Sequence, residues 1–199
     1  MNIILAAIDA RLFEAWMAFF KEEQQVMILE TDITTLQVDA IVSPANSFGF
    51  MDGGLDYALS ERFGWDLEKQ LQERIAALPE GELLVGQALV IPTGDQTVPY
   101  LISAPTMRIP TNFNVHNSVN AYLAMKAILI KAMHTPKINS VAIPGLCTGI
   151  GGMQPMIAAG QMFKAYEEIM LGKRGQFDGF GDAQKAQRDL NPTGMIWTH

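Results

Sequence analysis

Asn46, the pair Gly53-Gly54 and Asp56 lie close together in the chain, and these residue types suit the handling of a phosphorylated sugar. Glycines let backbone N–H groups approach an oxyanion closely. A side-chain amide can bond a sugar hydroxyl, and a carboxylate can accept from a hydroxyl or orient water. A second segment, 145–152, sets Gly145, Gly149, Gly151 and Gly152 around Leu146, Cys147, Thr148 and Ile150. Consecutive N–H groups in such a loop can converge on an anion, and a helix after it adds the positive end of its dipole. Plainer roles exist for each: a turn asparagine, a first-turn acid favouring the helix dipole, a glycine-rich turn without a ligand. Occurring together, each after an apolar run, they favour the ligand reading. Lys and Ser/Thr are not spaced as in G-x-x-x-x-G-K-[ST], and no G-x-G-x-x-G follows a strand. Both absences count against P-loop and dinucleotide-oxidoreductase chemistry.

Other chemistry-bearing residues read as structural. Cys147 sits among N–H donors that would lower a thiol pKa, but no histidine is assigned near it, and free cysteine is commonly buried. The histidines and acids lack metal-ligand spacing, so neither metal nor cofactor is expected. Arg108 reads as a solvated loop arginine, and the 12 methionines as core filler. The formal charge of −7 opposes bulk binding to DNA or RNA, while local N–H groups can still hold a small anion. Cys147 has no partner for an internal disulfide, which points to a reducing, cytoplasmic setting. The apolar run Ile3-Ile4-Leu5-Ala6-Ala7-Ile8 reads as a strand rather than a signal peptide, and no stretch reaches the roughly 20 apolar residues of a membrane span.

The elements that must position these residues alternate between strand and helix. Strands are expected at 3–8, 26–29, 39–42, 86–92, 99–104 and 138–143, the fourth and fifth separated by the turn Thr93-Gly94-Asp95. Helices are expected at 9–22, 55–63, from Leu67 through Leu78, at about 117–133, and after residue 152. In the last of these, Ala158, Met162, Ala165 and Ile169 face inward, with Gln161, Lys164 and Glu168 outward. Residues 1–171 make one domain. Residues 172–199, where glycines and charges interleave with Phe177 and Phe180, read as an appendage, loosely ordered or docked by those rings and Trp197, with a short helix near 182–190. The pattern gives an α/β class with a mixed, largely parallel sheet, and ligands bind such sheets beyond the carboxyl ends of strands. Both glycine-rich segments occur there.

The motifs also resemble a known family. Val38-Asp39-Ala40-Ile41-Val42-Ser43-Pro44-Ala45-Asn46 followed by Gly53-Gly54-Leu55-Asp56 is similar to the macro domain signature V-D-A-I-V-N-A-A-N…G-G-G-V-D. Residues 143–152 resemble that family's second phosphate loop, and Asp32-Ile33-Thr34 its G-D-I-T. The resemblance covers roughly residues 26–170 and implies a three-layer α/β/α fold binding ADP-ribose. By position, Asp32 would take the adenine amino group and Ile33 would line the adenine pocket. Gly53, Gly54, Leu55, Gly145, Cys147, Thr148, Gly149, Ile150 and Gly151 would surround the ligand. Asn46 would reach the distal ribose, and Asp56 corresponds to the acid that positions or activates water in hydrolytic members. Three departures bear on substrate identity. Ser43 stands where many members have asparagine, Met51-Asp52 replaces two glycines, and Gly151 occupies the place of an aromatic over the distal ribose. The distal pocket would then be wider, or closed by Phe48, Phe50 or Phe113.

The expected activity is hydrolysis at the distal ribose of ADP-ribose or an ADP-ribosylated protein, with Asp56 and Asn46 as the catalytic pair. The alternative is a module that binds ADP-ribose or a NAD metabolite without turning it over. A third reading makes the pocket vestigial and the 172–199 appendage the working part.

Overall fold

The computed structural model describes residues 1–110 and 115–192. Six strands form one sheet: β1 (Asn2–Ala7), β2 (Val26–Glu30), β3 (Ala40–Ser43), β4 (Leu89–Pro92), β5 (Tyr100–Ser103) and β6 (Ser140–Ile143). Their order is β2-β1-β6-β3-β5-β4, parallel throughout except for the antiparallel β4–β5 pair. Described helices are α1 (Ala10–Phe20), α2 (Gly54–Phe63), α3 (Asp66–Ala76), α4 (Asn120–Met133), α5 (Pro155–Ile169) and α6 (Phe180–Leu190). The mixed, largely parallel α/β sheet is therefore as the sequence leads one to expect. The fourth expected strand starts late, at Leu89, because Gly86 (φ 95) and the Gln87 N–H bonded to Leu84 O form a turn just before it.

Alternation along the strands separates two cores. Ile3, Leu5, Val42, Ile102, Val141 and Ile143 pack under α1, α4 and α5. Ala6, Ile41, Leu101 and Ala142 face the opposite way, against α2 and α3, where Leu59, Leu67, Leu71 and Ile75 meet them. Strands buried on both faces read as continuous apolar runs, as these do. Three layers result. The central β3–β6 pairing is pinned at its start by Asp39, whose Oδ2 accepts from the Asn139 and Ser140 N–H groups at 2.8 and 2.9 Å. Asp39 thus serves the fold rather than the site.

Each helix has local reasons to form. Asp9 caps α1 by accepting from Arg11 N–H at 2.9 Å. Leu12, Ala15, Trp16 and Phe20 then give α1 one buried stripe. Pro155 occupies the first turn of α5, where its missing N–H costs nothing.

Gln161 does not face outward as its polarity and spacing suggest; it is fully buried. Its Oε1 accepts from Tyr122 N–H at 3.2 Å, while Nε2 donates to Ser118 O at 2.9 Å and Leu190 O at 3.2 Å. Asn191 adds bonds to His116 O and Ser118 O at 2.9 and 3.0 Å. The end of α6 is therefore tied to the start of α4 through α5. Buried amides hold the end of this segment, while Phe177 and Phe180 are exposed. Trp197 lies outside the described residues. Gln161→Ala is expected to cost about 2 kcal/mol, because it strands the Tyr122 N–H and Leu190 O and leaves Ser118 O with its Asn191 bond. Urea unfolding would measure it, and an unchanged midpoint would contradict the assignment.

Candidate functional site

The chain leaves β3 toward one face of the sheet, into α2, and leaves β6 toward the other, into α5. Adjacent strands whose connections diverge open a crevice beyond their carboxyl ends. Here that crevice is a cleft of about 640 Å³. Asp32, Ile33, Asn46, Gly53, Gly54, Leu55 and Asp56 line it from one side. Gly145, Cys147, Thr148, Gly149, Ile150 and Gly151 line it from the other. Every site residue expected from the sequence therefore borders one cavity.

Asp32 caps a single turn of 3-10 helix, Ile33–Thr35, its Oδ1 accepting from Thr34 N–H at 2.9 Å and Thr34 Oγ1 at 2.7 Å. Arg62 of α2 donates to Thr34 O and Leu36 O and so fixes this turn against the helix. Ile33 is buried in the α2–α3 core yet reaches the cleft.

The amide of Asn46 closes its own loop. Nδ2 donates to Phe50 O at 2.7 Å, and Oδ1 accepts from the Phe48 and Phe50 N–H groups at 3.0 and 3.3 Å. Backbone bonds from Ser47 N–H to Arg108 O and from Thr106 N–H to Ala45 O hold that loop beside 104–108. Met51 is fully buried in the α2–α3 core, and its N–H donates to Glu68 Oε2 at 2.5 Å. The residue replacing a glycine thus anchors the loop, while Asp52 stays exposed on the cleft wall. Gly53 then leads into α2, whose first residue, Gly54, has φ 58, a left-handed conformation that strains any residue with a Cβ.

Asp56 sits in the first turn of α2, only 9 % exposed. Its Oδ1 accepts from Ser43 Oγ at 2.5 Å. Burial pushes its carboxyl from 3.8 up to about 6; the Ser43 bond opposes this, and the negative charges of Asp52 and Glu68 add to it. A carboxyl that titrates near 6 is mostly ionised at neutral pH yet basic enough to take a proton from water.

The second loop carries its own strain. Cys147 adopts φ 65, and its carbonyl accepts from Met153 N–H at 3.0 Å. A Cβ at Gly151 would lie 2.7 Å from that carbonyl oxygen and 3.2 Å from Met107 Cε and Val115 Cγ1. Glycine is required there, and the direction a side chain would take is already filled, so no widened pocket opens at this point. Phe50 lines the cleft, Phe48 lies under the Arg108 guanidinium at 4.8 Å, and Phe113 falls outside the described residues. Arg108 is exposed and paired with Glu82 at 2.7 Å. The Cys147 thiol is buried, which pushes its pKa up to about 12 and removes it as a nucleophile.

Sequence reasoning missed two walls: Ile8, Asp9 and Leu12 after β1, and Thr106, Met107 and Pro110 after β5. The rule that ligands gather beyond strand ends covers both, but neither stretch carries glycines to draw attention. Among the described residues no group of three or more His, Cys, Asp or Glu is placed to hold a metal ion, and no helix is long and apolar enough to cross a membrane.

The fold and the order of the motifs have counterparts in known proteins. A protein of Aquifex aeolicus with no stated function is 33 % identical over 69 % of this chain and 78 % of its own length. A macro domain-containing protein of Listeria monocytogenes is 31 % identical over 68 % of this chain and 74 % of its own. Among solved structures, the Oceanobacillus iheyensis macrodomain with ADP superposes with a TM-score of 0.62 at 21 % identity, covering 72 % of this chain and 75 % of that one. Thermosipho africanus DarTG in complex with ADP-ribose gives 0.59 at 19 %, covering 81 % of this chain and 44 % of that one. The Macro domain family model matches residues 42–162, which run from within β3 into α5 and include both glycine-rich loops. This chain belongs to the macro domain family.

Proposed function

We propose that the cleft binds ADP-ribose or a close derivative and hydrolyses a bond at its distal ribose. The convergence of Asp32, the two glycine-rich loops and Asp56 on one cavity carries this reading. The structures from Oceanobacillus iheyensis and Thermosipho africanus, determined with ADP and ADP-ribose, support the ligand class. Asp32 takes the adenine amino group through its free Oδ2, with Ile33 beside the ring. The N–H groups of Gly53, Gly54 and 148–151 hold the diphosphate, helped by the N-terminus of α2. Asn46 keeps its loop in shape and offers its second amide N–H to the distal ribose. Asp56 orients a water: the water oxygen bonds to the anomeric or acyl carbon, its proton passes to the Asp56 carboxylate, and the substituent leaves with the electron pair of the broken bond. The glycine loops act mainly on affinity, whereas water placement governs rate. The substrate class includes ADP-ribosylated proteins, and the cytosol is the setting in which the lone thiol stays reduced.

Two observations favour a second reading, a binding module without turnover. The Asn46 amide is largely spent inside its own loop, and Gly151 supplies no ring over the ribose.

Calorimetry with ADP-ribose, AMP and NAD tests the ligand class, and ADP-ribose is expected to bind. At 100-fold excess over Kd it should add about 2.7 kcal/mol of stability, seen as a raised Tm. Absence of binding by all three at high micromolar concentration would refute both readings. Single-turnover release from an ADP-ribosylated acidic peptide separates them. A wild-type rate no faster than that of Asp56→Ala leaves only the binding module.

A further inference from the structure

Ser43 and Ser103 are register partners at the ends of neighbouring parallel strands β3 and β5, and both are fully buried. The residues before them, Val42 and Ile102, face the α4–α5 core, and those before these, Ile41 and Leu101, face the α2–α3 core. Alternation therefore turns both serines toward the α2–α3 side of the sheet, one beside the other, on strands about 4.8 Å apart. Ser43 spends its only proton on Asp56 Oδ1. Its oxygen keeps lone pairs with which to accept. Ser103 Oγ, by contrast, has no hydrogen-bond partner among the described residues. A buried hydroxyl in that position is costly unless it finds an acceptor, and the oxygen of Ser43 is the polar atom beside it in register.

We propose that Ser103 and Ser43 act in series as positioning residues: Ser103 donates to Ser43 Oγ, directly or through one water, and Ser43 donates to Asp56 Oδ1, which leaves Oδ2 to face the cleft. This rests on the reading of Asp56 as the group that orients water. A donor that itself accepts a hydrogen bond is polarised and binds its own acceptor more strongly. Ser103 thus reinforces the Ser43–Asp56 bond without touching the carboxylate. No charged group contributes to this chain. The charges that face Asp56 are Asp52 on the preceding loop and Glu68 on α3, both acidic, while Arg62 on α2 is turned away to Thr34 O and Leu36 O. Ser43, reinforced by Ser103, is consequently the side chain that offsets the burial and the acidic neighbours of Asp56, and it does so where many macro domains place an asparagine.

The test is the titration of the Asp56 carboxyl, followed by carbon-13 NMR in the ligand-free protein. Measured this way, it does not depend on any activity. Ser43→Ala is expected to raise the midpoint by about one pH unit. Ser103→Ala should raise it by less, and should add nothing once Ser43 is already alanine, the non-additivity of two residues acting in series. Ser43→Cys fills the same space with a weaker donor and should fall between wild type and Ser43→Ala, which also covers failure of the alanine variant to fold. An unchanged midpoint in Ser103→Ala, or equal effects of Ser103→Ala in both backgrounds, overturns the proposal. If the titrations couple as expected but no ADP-ribosylated substrate is turned over, the serine pair stands and the hydrolytic reading falls.

Discussion

Asp56→Asn is expected to raise the stability of the protein at pH 7.5 while slowing single-turnover release by about 10²–10⁴-fold, the usual worth of a positioned acid–base group. The stability half follows from linkage. The folded state lifts this carboxyl from 3.8 to about 6, so between those values the folded protein holds a proton that the unfolded chain has lost. Stability from this group is fully present below 3.8, declines as pH rises through the window, and is gone above about 6. Each unit corresponds to 1.36 kcal/mol, so the ionised, buried carboxylate costs about 3 kcal/mol at neutral pH. Asparagine avoids that cost, and its Oδ1 can still accept from Ser43. The variant should therefore melt roughly 6–12 °C higher at pH 7.5, with most of the gain gone at pH 4. Thermal unfolding at both values checks this. An equal shift at the two would assign the effect to packing and not to the charge. Such a gain on loss of an acid would also mark Asp56 as a site where function is kept at the expense of stability.

How much of this was legible in the sequence depends on the kind of interaction. Apolar runs such as Ala40 to Val42 and Val141 to Ile143 announce strands because both their faces are buried, and the glycines announce the loops because Gly145 and Gly151 leave no room for a Cβ while Gly54 and Gly152 take a positive φ. The two glycine-loop walls of the cleft were equally legible, since strand ends in a parallel sheet gather on one side, but the walls after β1 and β5, which carry no glycine, were not. Contacts made by tertiary packing were not. Gln161 falls on the polar side of its helix by spacing alone, and only α4 and the end of α6, closing over it, turn that side into an interior. Met51 could be recognised as a departure from glycine, but its role as a buried anchor depends on α2 and α3 packing around it. The Ser43–Asp56 bond joins a strand end to a helix start, and its strength is set by a burial that no local pattern encodes. For Gly151 the sequence left either a wider pocket or closure by a phenylalanine, whereas the structure fills the space from Met107 and Val115, two segments remote in the chain.

Two glycines of the second loop should differ in stability after the same substitution. A methyl group on Gly145 would lie 2.3 Å from Thr148 Oγ1 and 2.4 Å from Leu12 Cδ2. Leu12 belongs to the buried stripe of α1 and also lines the cleft, as Thr148 does, so both clashing atoms are side-chain ends that must be displaced. Overpacking of this kind costs about 1–3 kcal/mol, so Gly145→Ala should unfold at a lower urea midpoint than wild type. The loop must also shift, so ADP-ribose affinity should fall at least about tenfold, equivalent to 1.4 kcal/mol. Gly149 is different. It is exposed on the cleft, has no positive φ, and an added Cβ would meet nothing within 4 Å. Gly149→Ala should leave stability within about 0.5 kcal/mol of wild type. Its methyl group occupies the surface to which the diphosphate is assigned, so affinity should fall there too, without a loss of stability. Urea unfolding and calorimetry on both variants decide the matter. Gly145→Ala unfolding at the wild-type midpoint would remove the packing argument, and Gly149→Ala binding ADP-ribose as tightly as wild type would place the diphosphate elsewhere in the cleft.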